Sequence, residues 1–169
     1  MALPPNISED VFEDFITVVH EIVGDNNITV IKSMDQLDDG SYLAQPYAHD
    51  PHYFLDKDCL IASAVVRPLS VPQVQDIVKL AGKFQIPLWT TSIGRNSGYG
   101  GAAPRLRGSV VLDLGRHMNS ILEVNTEGAY ALVEPGVTFK NLYDYLVEHN
   151  LNDKLWIDVR IFCMHSKWT

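Results

Sequence analysis

Residues 92–101 read SIGRNSGYGG, a stretch of ten residues that contains four glycines together with Arg95, Asn96 and Tyr99. Each glycine loses more conformational freedom on folding than any other residue, so a cluster of glycines opposes folding. Such a cluster indicates either a tight turn with positive φ angles or a backbone that must lie directly against a ligand. The elements on either side of the stretch help to decide between these two interpretations.

The composition is typical of a soluble globular domain or of part of one. The chain has 169 residues, of which 46% are hydrophobic and 20% are charged. A formal net charge of −8 provides no attractive field for phosphate backbones, so we do not expect a nucleic acid partner. The amino terminus MALPPNISED lacks a basic segment followed by an apolar one. We therefore expect an intracellular protein, cytoplasmic or peroxisomal, that is neither secreted nor bound to a membrane.

The hydrophobic pattern ahead of the glycine segment predicts two helices and three short strands. These elements are a helix between Ser8 and Gly24, strands at 28–31, 60–68 and 86–90, and a helix after Ser70, in which Ser70 and Gln73 form a predicted capping box. The last of the strands leads directly into the glycine segment. We therefore predict a loop that begins where a strand ends.

Three β-rich runs follow the glycine segment, at residues 108–114, 119–125 and 129–136. Turn residues separate them, and this pattern favours an antiparallel meander. Thr138 then caps a predicted helix that ends near Asn150. A small αβ layer followed by a β-rich layer predicts the α+β fold class.

Three ligand interpretations of the glycine segment compete with a plain surface turn. A Walker loop requires Lys and then Ser or Thr after its last glycine, but Ala102 follows Gly101. A Rossmann fingerprint must open a helix, whereas Pro104 follows closely and a strand comes next. The third interpretation is an anion-binding nest of backbone N–H groups, which Arg95, among others, could supplement. Composition alone leaves the nest and the surface turn open.

A metal site is a further possibility that the sequence does not favour. His49, Asp50 and His52 lie close together in the chain, but no third ligand motif stands elsewhere. The two cysteines, Cys59 and Cys163, form no CxxC pair. We expect no metal.

The residues around the glycine segment resemble a known family. The sequence IPLWTTSIGRNSGYGGAAPRLRGSVVLDL, residues 86–114, resembles the flavin diphosphate loop of the vanillyl-alcohol oxidase flavoprotein family. Residues 39–53, 118–146 and 151–159 agree with the same family, so the resemblance covers about Ser8 to Val159. It is closest to the vanillyl-alcohol oxidases and to para-cresol methylhydroxylase-like enzymes.

The resemblance implies a cofactor and a set of residues that bind it. It implies FAD, held in an α+β domain of two small subdomains, of which the second is incomplete in this chain. The diphosphate would lie along the glycine segment, where the implied cofactor-binding residues are Ser92, Ile93, Gly94, Arg95, Asn96, Ser97, Gly98, Gly100 and Gly101.

The resemblance also implies a chemistry. Members of the family oxidise para-substituted phenols by moving a hydride from the benzylic carbon to the flavin, and the ring passes through a quinone methide. An unperturbed phenol has a pKa of about 10, so a site that uses the phenolate must direct donors at its oxygen. The resemblance implies Tyr99 as one such donor. It implies that His52 assists the covalent attachment of the flavin to a distant His.

The last ten residues depart from the family pattern. Arg160 and Ile161 stand where the family has Pro and an Asp that acts as acid or base near the flavin. We therefore interpret residues 1–159 as a partial FAD-binding domain and residues 160–169 as an aberrant tail. We expect this chain alone to be inactive, whereas the full-length enzyme would oxidise a small phenolic substrate, with a homo-oligomer left open.

Two expectations accompany that interpretation. A catalytically inactive flavin- or nucleotide-binding module that acts as a partner protein remains the alternative function. If the chain is instead part of the phenol oxidase, we expect an exposed apolar patch, which the rest of that enzyme would cover.

Overall fold

The computed structural model describes residues 2–32, 61–94 and 103–157. His52, Tyr99 and residues 95–101 lie outside the described residues, as do His49 and Asp50. The elements are α1 (Glu9–Val23), a 3-10 turn (Asp25–Asn27), β1 (Ile28–Val30), β2 (Ala64–Val66), α2 (Val71–Phe84), β3 (Leu88–Thr91), β4 (Val110–Asp113), β5 (Ile121–Asn125), β6 (Tyr130–Val133) and α3 (Phe139–Glu148). The mixture of helices with two small sheets confirms the α+β prediction.

The larger sheet has the strand order β1-β2-β4-β3. β1 pairs with β2 in the antiparallel sense, whereas β4 is parallel to both β2 and β3. All four residues of β4 are buried. Side chains of Val110 and Leu112 join the core formed with α1 and α2, and Val111 joins a second cluster on the other face. Burial on both faces is typical of a strand within a parallel sheet.

The predicted antiparallel meander is wrong for its first member. β4 belongs to the larger sheet, and the smaller sheet contains β5 and β6, which pair in the antiparallel sense. The run VVLD is continuously apolar up to Asp113, and such a run is typical of a strand that is covered on both faces. The amphipathic strands β5 and β6 lack this feature.

Helix α1 is capped at both ends by the predicted residues, Ser8 and Gly24. The Val11 amide donates to Ser8 Oγ at 3.4 Å, and Gly24 ends the helix with φ 79°. Its apolar stripe, which includes Phe12, Phe15 and Val19, is buried in the core. Among the described residues, no helix has both the length and the apolar character needed to cross a bilayer.

Helix α2 begins after Ser70, but the predicted capping box does not form. Ser70 makes no side-chain capping hydrogen bond. Gln73 instead accepts from the Leu69 amide at 2.8 Å and donates from Nε2 to the Ile22 carbonyl oxygen at 2.8 Å. This second bond reaches α1, so Gln73 stabilises the contact between the two helices as well as the start of α2.

The second unit consists of β5, β6 and α3. Thr138 and Asn141 form a capping box at the start of α3, which confirms the predicted helix start. Phe139, Tyr143 and Val147 lie at i, i+4 and i+8 of this helix and are all exposed. An exposed apolar stripe is thus present in the described part of the chain, as expected.

Trp156 follows α3 and is 91% exposed. Because Trp is large and mostly apolar, the sequence alone predicts a core position for both Trp156 and Trp89, and for Trp156 that prediction is wrong. Trp89, for which we also expected a core position, is partly buried and packs against the second core cluster.

The two sides of α2 provide a test of the core. Ile77 is fully buried, whereas its neighbour Val78 is 50% exposed. We expect Ile77→Ala to lower the free energy of unfolding by about 2–5 kcal/mol, because it leaves a cavity in a packed core. Val78→Ala is the matched control and is expected to change it by about 0.5 kcal/mol or less. Urea unfolding measures both, and equal effects would contradict this packing of α2.

Candidate functional site

The glycine segment begins at the edge of the larger sheet where three parallel strands end. Arg67 follows β2, Ser92 follows β3 and Leu114 follows β4. In open α/β sheets, ligands bind outside the carboxyl ends of parallel strands, where the chain leaves the sheet and frees backbone groups. The first residues of the glycine segment therefore lie at the edge of the sheet at which a ligand is expected.

The start of the segment is defined by the burial of Thr91, a hydrogen bond of Ser92 and the backbone conformation of Gly94. Thr91 is 5% exposed, and its Oγ1 has no hydrogen-bond partner within the described ranges. Ser92 Oγ donates to the carbonyl oxygen of Pro135, which ties the loop to the second unit. Gly94 has φ 73°, a left-handed conformation that favours glycine. The predicted residues Ser92, Ile93 and Gly94 thus lie together, and their contact with a cofactor stays a prediction.

The exit from the segment is also fixed. Ala103 is fully buried in the second core cluster, and the side chain of Pro104 is fully buried as well. The eight residues between Gly94 and Ala103 are therefore held at both ends by packed structure. The described residues thus provide a packed support on both sides of the glycine segment, as is typical of binding loops.

Asp113 is a buried carboxylate at the same edge of the sheet. Arg67 Nε lies 3.7 Å from Asp113 Oδ2, and Arg67 Nη1 donates to Thr29 Oγ1 at 3.0 Å. Burial raises the pKa of Asp113 above its ordinary 3.8, while the Arg67 guanidinium and the amides of Arg116 and Gly115 oppose that rise. Asp113 therefore contacts the turn that follows β4 directly, and through Arg67 it is linked to the end of β2 and to Thr29 of β1.

The turn at Glu134, Pro135 and Gly136 joins β6 to α3. Glu134 accepts from the Ser120 amide at 2.7 Å through Oε2, and the Gly136 amide donates to the Met118 carbonyl oxygen at 2.7 Å. Through Pro135 the turn also contacts Ser92. Its structural role is therefore to join the second unit to the start of the glycine segment.

Three residues of this site were not identified from the sequence. Thr91 and Asp113 stand at the ends of short apolar strands, and a polar residue in that position is the signal that could have identified both. Gly115 gave no signal, because a single glycine after a strand is indistinguishable from an ordinary turn residue.

Within the described ranges, no group of three or more His, Cys, Asp or Glu side chains is arranged to hold a metal ion.

The described residues fit an FAD diphosphate. The Thr91 hydroxyl is buried and has no partner in the described part of the chain, so it has a donor available at the ligand edge of the sheet. Gly94 has a conformation in which successive backbone N–H groups can converge on an anion. The four glycines of the segment carry no Cβ atom that would keep a diphosphate away from the main chain.

Comparison with known proteins identifies the family. Residues 62–159 match the FAD binding domain model, which covers more than half of the chain. The chain therefore belongs to the FAD binding domain family, whose members are flavoproteins, and its cofactor is FAD.

Individual relatives agree with this assignment. The chain is 41% identical over 149 residues to the 4-cresol dehydrogenase [hydroxylating] flavoprotein subunit of Pseudomonas putida, and the match covers 88% of this chain and 26% of that protein. The structure of p-cresol methylhydroxylase with substrate bound matches with a TM-score of 0.77 at 40% identity, over 89% of this chain and 27% of that one. The 4-ethylphenol oxidase of Gulosibacter chungangensis matches with a TM-score of 0.74 at 38% identity, over the same 89% and 27%.

These matches confirm the resemblance to the para-cresol methylhydroxylase group and the fold of its FAD-binding domain. The chain spans about a quarter of the length of the relatives it matches.

The pKa of Asp113 gives a testable pH dependence. Since the folded state binds this proton more tightly than the unfolded state, the group contributes stability below pH 3.8 and loses it as the pH rises through the folded-state pKa. We expect the free energy of unfolding of the wild type, relative to Asp113→Asn, to fall as the pH rises above 3.8. Urea unfolding at several pH values measures this difference, with the exposed Asp14→Asn as control. A difference that stays flat or rises with pH would contradict the assignment.

Proposed function

We propose that this chain is the FAD-binding part of an oxidoreductase that oxidises para-substituted phenols by hydride transfer to the flavin. The observation that carries the proposal is the glycine segment, which begins at the carboxyl edge of three parallel strands in a chain of the FAD binding domain family. The substrate class is supported by two relatives whose names contain 4-cresol and 4-ethylphenol, both para-substituted phenols.

In this proposal the diphosphate is bound mainly by backbone N–H groups between Ser92 and Gly101. Each charge-assisted hydrogen bond contributes about 1.5–3 kcal/mol, so several donors are sufficient even in an acidic protein. Side chains of Arg95, Asn96 and Ser97 add donors. The net charge of −8 does not oppose this mode of binding strongly, because the donors act at contact distance whereas charges farther than about 8–10 Å are screened by salt.

Tyr99 and His52 have separate roles in the proposed reaction. The flavin, when bound, supplies the hydride acceptor. Tyr99 directs its hydroxyl at the phenolate oxygen and stabilises the ionised substrate, which a water-poor pocket would otherwise disfavour. His52 assists the attachment of the flavin to the protein. Both roles come from the resemblance, since both residues lie outside the described ranges.

We further propose that residues 1–159 form the FAD-binding unit and that this chain does not turn over alone. Ile161 occupies the place of the family acid/base group, and an apolar side chain cannot transfer a proton. General acid–base catalysis typically accelerates a reaction by a factor of about 10²–10⁴. Without this acid/base group, we expect the chain to bind the cofactor but not to oxidise the phenol.

The affinity for FAD tests the cofactor site, and a comparison of two glycine variants makes the test specific to the glycine segment. Gly94 and Gly24 both have positive φ, at 73° and 79°, so alanine at either one costs about 1–2 kcal/mol of backbone strain. We expect Gly94→Ala to weaken FAD binding by about tenfold, because the strain is relieved by moving the start of the loop. Gly24→Ala, at the end of α1, should reduce stability and leave the affinity unchanged.

Flavin fluorescence quenching during titration of the purified chain with FAD measures both affinities. Absence of FAD binding by the wild type would overturn the proposed function. Equal affinities of wild type and Gly94→Ala would show that the start of the glycine segment does not contact the diphosphate.

The second test separates binding from catalysis. We expect anaerobic addition of 4-methylphenol to the FAD-loaded chain to leave the absorbance of the oxidised flavin unchanged, because Ile161 stands in the place of the family acid/base group. Dithionite is the control and should bleach the same flavin. Bleaching by 4-methylphenol would contradict the proposal that this chain alone is inactive.

A further inference from the structure

Three backbone segments meet without intervening side chains at the entrance of the glycine segment. They are residues 91–94, the turn after β4 at residues 114–118, and the turn at residues 134–136. A Cβ atom built on Gly115 would lie 2.6 Å from the Ser92 carbonyl carbon and 2.7 Å from the Ile93 nitrogen. Real Cβ atoms essentially never approach that closely, so only glycine permits this packing.

Gly136 completes the same junction. A Cβ on Gly136 would lie 2.8 Å from the Met118 carbonyl oxygen and would collide with the Gly115 carbonyl oxygen. Its amide donates to Met118 at 2.7 Å, and its neighbour Pro135 accepts from Ser92 Oγ. Gly115 therefore packs against the loop on one side and against Gly136 on the other.

The junction is anchored to the larger sheet by hydrogen bonds. The Leu114 amide donates to the Thr91 carbonyl oxygen at 3.0 Å, and the amides of Gly115 and Arg116 donate to the buried Asp113 carboxyl. Asp113 in turn pairs with Arg67. The backbone of Ser92 and Ile93 thus packs against a hydrogen-bonded turn, which can hold their amides in one orientation.

We propose that Gly115 and Gly136 are positioning residues for the cofactor. Their lack of side chains lets the turn after β4 pack against the backbone of Ser92 and Ile93, and lets the second unit pack against that turn. This packing fixes the amides that receive the diphosphate. This inference rests on the proposed function. It adds that the affinity for FAD depends on two glycines that need not touch the cofactor, and that β5, β6 and α3 support the binding loop.

Three variants and two controls test the inference in the full chain. Gly115→Ala and Gly136→Ala force the backbone segments apart, while Ser92→Ala removes the hydrogen bond to Pro135 with no added bulk and keeps the test valid if the others do not fold. The control Gly82→Ala adds a methyl group in open space on α2. Gly108→Ala creates a similar collision with Leu3 and Pro4 at the opposite end of β4.

The first measurement needs no cofactor. Hydrogen–deuterium exchange of ligand-free protein reports the amides of Leu114 and Gly136, which are bonded across the junction. We expect exchange at both amides to accelerate in Gly115→Ala, and at Gly136 in Ser92→Ala, by about tenfold relative to Gly82→Ala. Unchanged exchange in these variants would overturn the inference.

The second measurement is the FAD titration of the folded fraction. We expect Kd to rise by about tenfold in Gly115→Ala, in Gly136→Ala and, to a smaller extent, in Ser92→Ala. Gly108→Ala should lower Tm with Kd unchanged. Faster exchange with an unaltered Kd would overturn the positioning role. If the wild type binds no FAD, the proposed function fails and the positioning role fails with it, whereas the exchange data still decide whether the junction is packed as described.

Discussion

Strand β4 is the constraint on which the rest of the structure depends. It lies between β2 and β3, and all four of its residues are buried. Because both of its faces are covered, it pairs in parallel with two neighbours and brings their carboxyl ends to one edge. Asp113 and Thr91, which stand opposite each other in this register, are then withdrawn from solvent. The location of the candidate site thus follows from the burial of one short strand.

The second unit is joined to this sheet by close main-chain packing and by one side-chain hydrogen bond. The Gly136 amide bonds to Met118, and Ser92 bonds to Pro135, at a point where Gly115 leaves no space for a side chain. Main-chain packing of this kind does not depend on the identity of large side chains, because the contacting atoms are common to all residues. It therefore positions the glycine segment while α3 keeps an exposed apolar stripe on another surface.

Much of the fold could be predicted from the sequence because local signals determine it. Ser8 and Gly24 delimit α1, and Thr138 with its apolar pattern defines the start of α3. The partners of β4 could not be predicted, since four apolar residues are compatible with several sheets and the pairing is decided by contacts distant in sequence. The role of Gln73 was also missed in part, because its bond to Ile22 connects two helices.

The candidate site could also be predicted only in part from the sequence. The glycine segment is visible in the sequence, but composition alone did not separate a nest from a surface turn. Its cofactor came from a resemblance, which the family comparison confirmed. Thr91, Asp113 and Gly115 become significant only when β3 and β4 lie side by side, and this is a property of the tertiary structure.

The connection between β3 and β4 has a consequence for how the chain folds. These adjacent parallel strands are joined by residues 92–109, so the glycine segment is also the crossover that returns the chain to the start of β4. The pairing of β4 with β3 forms only when this connection closes, at a cost in loop-closure entropy. A ligand that binds the crossover in the folded chain stabilises the pairing of β3 with β4, so cofactor binding and the stability of the sheet are thermodynamically linked.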